Sequence, residues 1–128
     1  LGRAAFKEGG EDGGDREEGG NQVGANQAGQ VLVAEMDSRV ESARSLVYDS
    51  AVRIADGEGD TRASSRAKFA ASDAAEFCAR NAMQIYGGRG YRTDYPLERY
   101  YRDARILSII GGTSEIQKTT VASAALGL

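Results

Sequence analysis

The stretch VLVAEMDSRVESARSLVYDSAVRIADGEGDTRASSRAKFAASDAAEFCARNAMQIY, residues 31–86, decides the fold. Its first half places Val33, Met36, Val40, Ala43, Val47, Ala51 and Ile54 at spacings of three and four, the apolar stripe of an amphipathic helix. Gly57 is suited to end that helix, and Asp60 or Thr61 to cap the next. The second half carries an inner face of Ala67, Ala70 or Ala71, Ala74, Phe77 or Cys78, Ala82 and Ile85. Each helix runs roughly 26 residues, or about 39 Å at 1.5 Å per residue. Two rods of equal length joined by GEGD are expected to pair antiparallel.

Downstream, a glycine-rich turn, GGRGYRTDY, spans Gly87 to Tyr95. Asp94 is a candidate cap for a third helix, with Pro96 in its first turn. That helix, PLERYYRDARILSII, is expected to stop at Gly111 and Gly112. Thr113 opens a last helix, and Ser114 with Gln117 has capping-box spacing. The helix ends near Gly127. The expectation is an all-α, four-helix up-and-down bundle over residues 30–128.

Upstream the texture differs. Residues 1–30 hold nine of the 17 glycines. Each glycine costs a helix about 1 kcal/mol relative to alanine, and apolar residues are too few to offset that. Residues 1–29 are therefore expected to be a separate, irregular or disordered segment, with Leu1 to Phe6 as the tail of a helix. This segment also carries the acidity behind the formal charge of −3, since residues 31–128 balance 13 basic against 13 acidic side chains.

Composition narrows the chemistry. There is no histidine, which excludes Ser-His-Asp and Cys-His catalysis within the chain. Nor is a metal site expected. The single cysteine, Cys78, lies on an alanine-rich face and reads as buried and inert; Met36 and Met83 read as core filler. The sequence shows no secretory signal, transit peptide or membrane span, which suggests a soluble protein of the cytoplasm, or of the mitochondrial matrix if eukaryotic. Arginines interleaved with tyrosines from Arg89 to Arg105 resemble a nucleic-acid surface. Interspersed acids, with Arg99 and Asp103 at i,i+4, favour internal ion pairs and a subunit interface, and no nucleic-acid partner is expected.

The segment QIYGGRGYRTDYPLERYYRD resembles the C-terminal signature of acyl-CoA dehydrogenases. Gln84, Gly87, Gly88, Gly90, Tyr91, Asp94, Arg99 and Asp103 all fall in place. GGTSEIQ, from Gly111 to Gln117, is similar to a second motif of that family. The resemblance covers about residues 30–128 and not 7–29. It implies the C-terminal helical domain of an FAD-dependent oxidoreductase of fatty acid metabolism. In that family a carboxylate removes the α-proton of an acyl-CoA thioester while the β-hydride passes to flavin N5.

Roles follow from the resemblance. Gln84, Ile85, Tyr86, Gly87 and Gly88 match the segment that meets the adenosine-diphosphate end of FAD bound by a neighbouring subunit. Thr113, Ser114 and Glu115 match the segment touching FAD at the last helix's start, where a helix N-terminus offers N–H groups to a pyrophosphate. Gly111 and Gly112 match the strip beside the acyl-CoA thioester. The implied partners are acyl-CoA, a homo-oligomer (dimer or homotetramer) and electron-transfer flavoprotein. The picture is of two glycine-bearing corners facing a dinucleotide held mainly by other polypeptide. Many members carry the catalytic glutamate at the position of Gly111, and some branches place it on an earlier helix before the region this chain covers; either way the resemblance implies no catalytic residue in this chain, which is expected to be inactive alone. An alternative is a non-catalytic helical oligomerisation module derived from the family. A flavin monooxygenase or nitroalkane oxidase is a third reading, and GGTSEIQ favours the dehydrogenase branch.

Overall fold

A computed structural model describes residues 1–15, 17–18, 21–22 and 26–128. Among the described residues the fold is all-α, with five helices: α1 (Gly2–Asp15), α2 (Gln27–Ala55), α3 (Thr61–Tyr86), α4 (Leu97–Leu107) and α5 (Ser114–Leu126). Between α1 and α2, Glu17–Glu18 and Asn21–Gln22 form a two-residue antiparallel ladder. A short 3-10 turn, Gly87–Tyr91, follows α3.

The helical hairpin forms as its spacing predicts. Asn26 caps α2 by accepting the Ala28 N–H, and Asp60 caps α3 by accepting the Ala63 N–H. Gly57, at φ +78°, turns the chain between them. The inner face of α3 is as expected at Ala67, Ala74, Cys78, Ala82 and Ile85, all buried. The stripe of α2 is buried only in its first part, at Met36, Val40 and Ala43. Val47 and Ile54 are exposed, because α1 begins opposite Ala75 and leaves the far end of the hairpin uncovered. Cys78 is fully buried, and its thiol reaches the Met36 carbonyl at 3.7 Å. Burial pushes that thiol up to about 11, so it stays protonated at neutral pH.

The four-helix expectation is corrected by α1. Residues expected to be irregular form a 14-residue helix. Ala5, Gly9 and Gly13 lie at i,i+4 spacing and are buried on one face. Gly2 faces Ala75, Gly9 faces Ala82, and Gly13 faces Ile85, so α1 runs parallel to α3. A Cβ on Gly9 would sit 3.1 Å from both Cα and Cβ of Ala82. The glycines that weaken the isolated helix are what let the two backbones approach. The rest of that expectation, on residues 16, 19–20 and 23–25, lies outside the described residues.

Two local expectations also shift. Asp94 does not cap α4; Pro96 occupies that position, and the Asp94 carboxylate instead takes two bonds from Arg92. The helix α4 stops at Leu107 rather than near Ile110, because the Leu107 carbonyl accepts from Lys68 and Ser72 on α3. The i,i+4 ion pair on α4 is Glu98 with Arg102, not Arg99 with Asp103.

The glycine stripe gives a paired expectation. Gly9→Val inserts bulk against Ala82 and should destabilise the fold by about 1–3 kcal/mol. Gly10→Ala, where an added Cβ meets nothing within 4 Å, should stabilise it by up to about 1 kcal/mol. Urea denaturation of the two variants checks both signs.

Candidate functional site: two glycine corners on α3

The first corner closes α3. Gly87 adopts φ 63°, ψ −146°, and its N–H bonds back to the Gln84 carbonyl. Gly88 is exposed, and a Cβ there would meet nothing within 4 Å. Its backbone is therefore open to close approach by a ligand. Gly90 has a different role: a Cβ would fall 2.9 Å from the Tyr86 Cβ, so it is glycine for packing. Of the five residues assigned here, Gln84 and Gly88 are exposed, and Tyr86 and Gly87 are half-buried. Ile85 is 7% exposed and packs toward α1, so its side chain belongs to the core.

The groups that hold this corner come from α1, 77 and 78 residues earlier in the chain, and leave no local signal in the sequence. Asp12 on α1 accepts a bond from Arg89 at 2.6 Å, and Glu8 accepts one from the Tyr86 hydroxyl at 3.2 Å. The Arg89 guanidinium lies 5.5 Å from the Tyr86 ring centre and 6.0 Å from that of Tyr95. The two rings meet edge to face at 5.6 Å. The acids of the N-terminal segment thus clasp the glycine turn. Burial, and then the Glu8 carboxylate, push Tyr86 up to about 12.

The second corner joins α4 to α5. Gly111 and Gly112 sit at φ +67° and +89°. Only Gly111 leaves open space beside it; a Cβ on Gly112 would lie 2.6 Å from the Gln117 amide nitrogen. Thr113 caps α5 by accepting the Ile116 N–H. Gln117 does not complete a capping box with Ser114. Its amide donates to the carbonyls of Gly111 and Gly112 at 3.1 and 3.5 Å. The Glu115 carboxylate is held below the usual range by its own backbone N–H and then by the Thr113 hydroxyl. The start of α5 is therefore already served by Thr113 and Glu115, and a phosphate there has to compete with a resident carboxylate. No carboxylate stands at Gly111.

The two corners are not brought together. The Lys68 ammonium bonds the Gly112 carbonyl at 2.9 Å, while Gly87 follows the far end of α3. The rise along α3 between Lys68 and Gly87 is about 28 Å.

Elsewhere the arginines meet carboxylates, as in Arg39 with Asp73 at 2.8 Å and Arg105 with Glu76 at 3.3 Å. Among the described residues, no group of three or more His, Cys, Asp or Glu side chains could hold a metal, and no helix is long and apolar enough to cross a membrane.

These features define an all-α helical domain with one glycine corner after the last turn of its central helix and another seated along that helix. Residues 1–126 match the family model of the acyl-CoA dehydrogenase C-terminal domain, and the chain belongs to that family. The match begins at residue 1, so the resemblance is not confined to residues 30–128; α1 is part of the shared domain. A probable acyl-CoA dehydrogenase of Mycobacterium tuberculosis is 42% identical over 113 residues, covering 88% of this chain and 29% of the relative. The mitochondrial short-chain specific acyl-CoA dehydrogenase of Rattus norvegicus is 47% identical over 93 residues, covering 73% of this chain and 23% of the relative. The solved structure of butyryl-CoA dehydrogenase from Megasphaera elsdenii superposes with a TM-score of 0.94 at 35% identity, over 98% of this chain and 33% of that one. The chain spans about a third or less of the length of these relatives.

The Tyr86 clasp has a pH signature. Its folded-state pKa is raised, so the stability it contributes is full below pH 10 and lost as pH rises toward about 12. Spectrophotometric titration should show one of the six tyrosines ionising near 12 in the folded chain. Glu8→Gln should lower that value while leaving it above 10, because burial is the larger cause.

Proposed function

We propose that this chain supplies the C-terminal helical domain of an FAD-dependent acyl-CoA dehydrogenase and works only with further polypeptide. The carrying observation is the open backbone at Gly88 beyond the last turn of α3, with the Gly111–Glu115 corner seated against Lys68, Phe69, Asp73 and Glu76 further back along the same helix. Their placement at different points along one rigid helix supports contacts with two flavins rather than one. On this reading Gln84, Tyr86, Gly87 and Gly88 meet the adenosine-diphosphate end of FAD held by a neighbouring subunit. Ile85 contributes through its backbone, since its side chain is buried. Thr113, Ser114 and Glu115 then meet the flavin at the other corner, with Gly111 and Gly112 beside the thioester. The two-flavin arrangement requires a homo-oligomer. FAD accepts the hydride when bound. The α-proton goes to a carboxylate outside these residues, since Gly111 has no side chain to receive it. Electron-transfer flavoprotein as the re-oxidising partner belongs to the same reading, as does a cytoplasmic or mitochondrial-matrix location.

A non-catalytic association module is the second reading. Gly111 favours it, as do the exposed Val47, Val52, Ile54, Ile109, Ile110 and Ile116, which suit an oligomer surface.

The discriminating experiment is an FAD titration of the 15N-labelled chain followed by amide chemical shifts. Weak binding should shift Gln84–Gly88 and Thr113–Glu115, and Gly88→Arg should abolish only the first set. The chain alone should neither retain yellow colour through gel filtration nor turn over butyryl-CoA with an artificial acceptor. Shifts confined to other surfaces, or measurable turnover, contradict the proposal.

A further inference from the structure

Lys68 stands apart from the other cations among the described residues. It is half-buried on α3, and its bonds run to backbone carbonyls. The ammonium donates to the Leu107 carbonyl at 2.6 Å and to the Gly112 carbonyl at 2.9 Å. Ser72 adds a hydroxyl to the Leu107 carbonyl at 3.1 Å, and Gln117 adds its amide to those of Gly111 and Gly112. One side chain thus ties three pieces of the molecule: the middle of α3, the C-terminal end of α4 and the strip before α5. A cation at a helix C-terminus is favoured by the helix dipole, which accounts for the Leu107 bond. The Gly112 bond needs another reason, because Gly112 belongs to no helix.

Peptide planarity supplies it. In a trans peptide the C=O and the following N–H point in opposite directions. The Gly112 carbonyl held by Lys68 turns the Thr113 N–H away from α3, and the Gly111 carbonyl held by the Gln117 amide turns the Gly112 N–H away from Gln117. Among the described residues neither N–H meets a backbone acceptor. The positive φ at both glycines permits this arrangement.

We infer that Lys68 is a positioning residue: its ammonium, acting with the Gln117 amide, orients the Gly111–Thr113 strip so that the Gly112 and Thr113 N–H groups face the acyl-thioester and flavin side. The role of the strip rests on the function proposed above, whereas the orientation by Lys68 does not. A positioning charge differs from a space-filling stem, and chemical rescue separates them. Lys68→Cys removes the ammonium. Alkylation with 2-bromoethylamine rebuilds a lysine-like ammonium, and alkylation with 1-bromopropane rebuilds the length without charge. Cys78 is fully buried and is spared under native conditions.

The Ser114 N–H, bonded to the Ser108 carbonyl at 3.0 Å, reports closure of the strip. In Lys68→Cys its hydrogen exchange should accelerate about tenfold or more while the core amides of Ala79 and Ala82 keep their rates. The Thr113 amide nitrogen, bonded directly to the Gly112 carbonyl carbon, should shift with it. Aminoethylation should restore both signals and propylation should not. Equal rescue by both reagents, no change at Ser114 and Thr113, or uniform acceleration across α3 overturns the inference. If Lys68→Cys does not fold, the unsubstituted chain decides. A scalar coupling between the Lys68 ammonium nitrogen and the Gly112 carbonyl carbon is expected, and its absence overturns the inference. None of these measurements uses FAD or acyl-CoA, so failure of ligand binding would count against the proposed function and leave this result standing.

Discussion

Close approach of backbones around α3 is the constraint on which this domain depends. Ala67, Ala74, Ala75, Ala79 and Ala82 are buried along it, with the small thiol of Cys78 between them. Small side chains on every side let one helix touch all the others, and α1 answers with glycines of its own. Few bulky groups fill the interior: Met36 and Leu97 are the largest fully buried side chains, followed by Cys78. Stability in such a core comes from many close contacts rather than from large apolar areas. Added volume is therefore tolerated poorly wherever two backbones nearly meet.

That arrangement also fixes the functional geometry. Because α3 is a continuous rod, the corner that follows its last turn and the corner held by Lys68 are kept apart by its length. Each corner is secured by side chains from a different helix. Glu8 and Asp12 of α1 hold the Gly87–Tyr91 turn, and Lys68 of α3 holds the Gly111–Thr113 strip. The glycines supply backbone access and the charged partners supply rigidity, a division that preorganised binding surfaces require.

Much of this was legible in the sequence. The stripes of α2 and α3 follow directly from residue spacing, and the caps at Asp60 and Thr113 sit where side-chain chemistry puts them. The family signature is dense enough to be recognised by its own residues. The helix α1 was not legible, because helix propensity charges each glycine as if the helix stood alone, and Gly9 and Gly13 act only against Ala82 and Ile85. Lys68 gave no signal either: a lysine within a helix reads as solvated, and its carbonyl partners arrive 39 and 44 residues later. Asp12 and Arg89 are 77 residues apart, too far for any local pattern to join. The exposed second half of the α2 stripe shows the converse error, since periodicity marks a face suited to burial and not what covers it.

The claim beneath all of this is that α1 is an integral member of the bundle, seated on α3 through its glycine face. Native-state hydrogen exchange tests it most directly. If the claim holds, the amides of Gly9 and Gly13 open only with global unfolding, at the same free energy as Ala79 on α3. Exchange of those two amides at near-intrinsic rates, while Ala79 remains protected, would show that α1 is undocked and that the clasp on the first corner does not form.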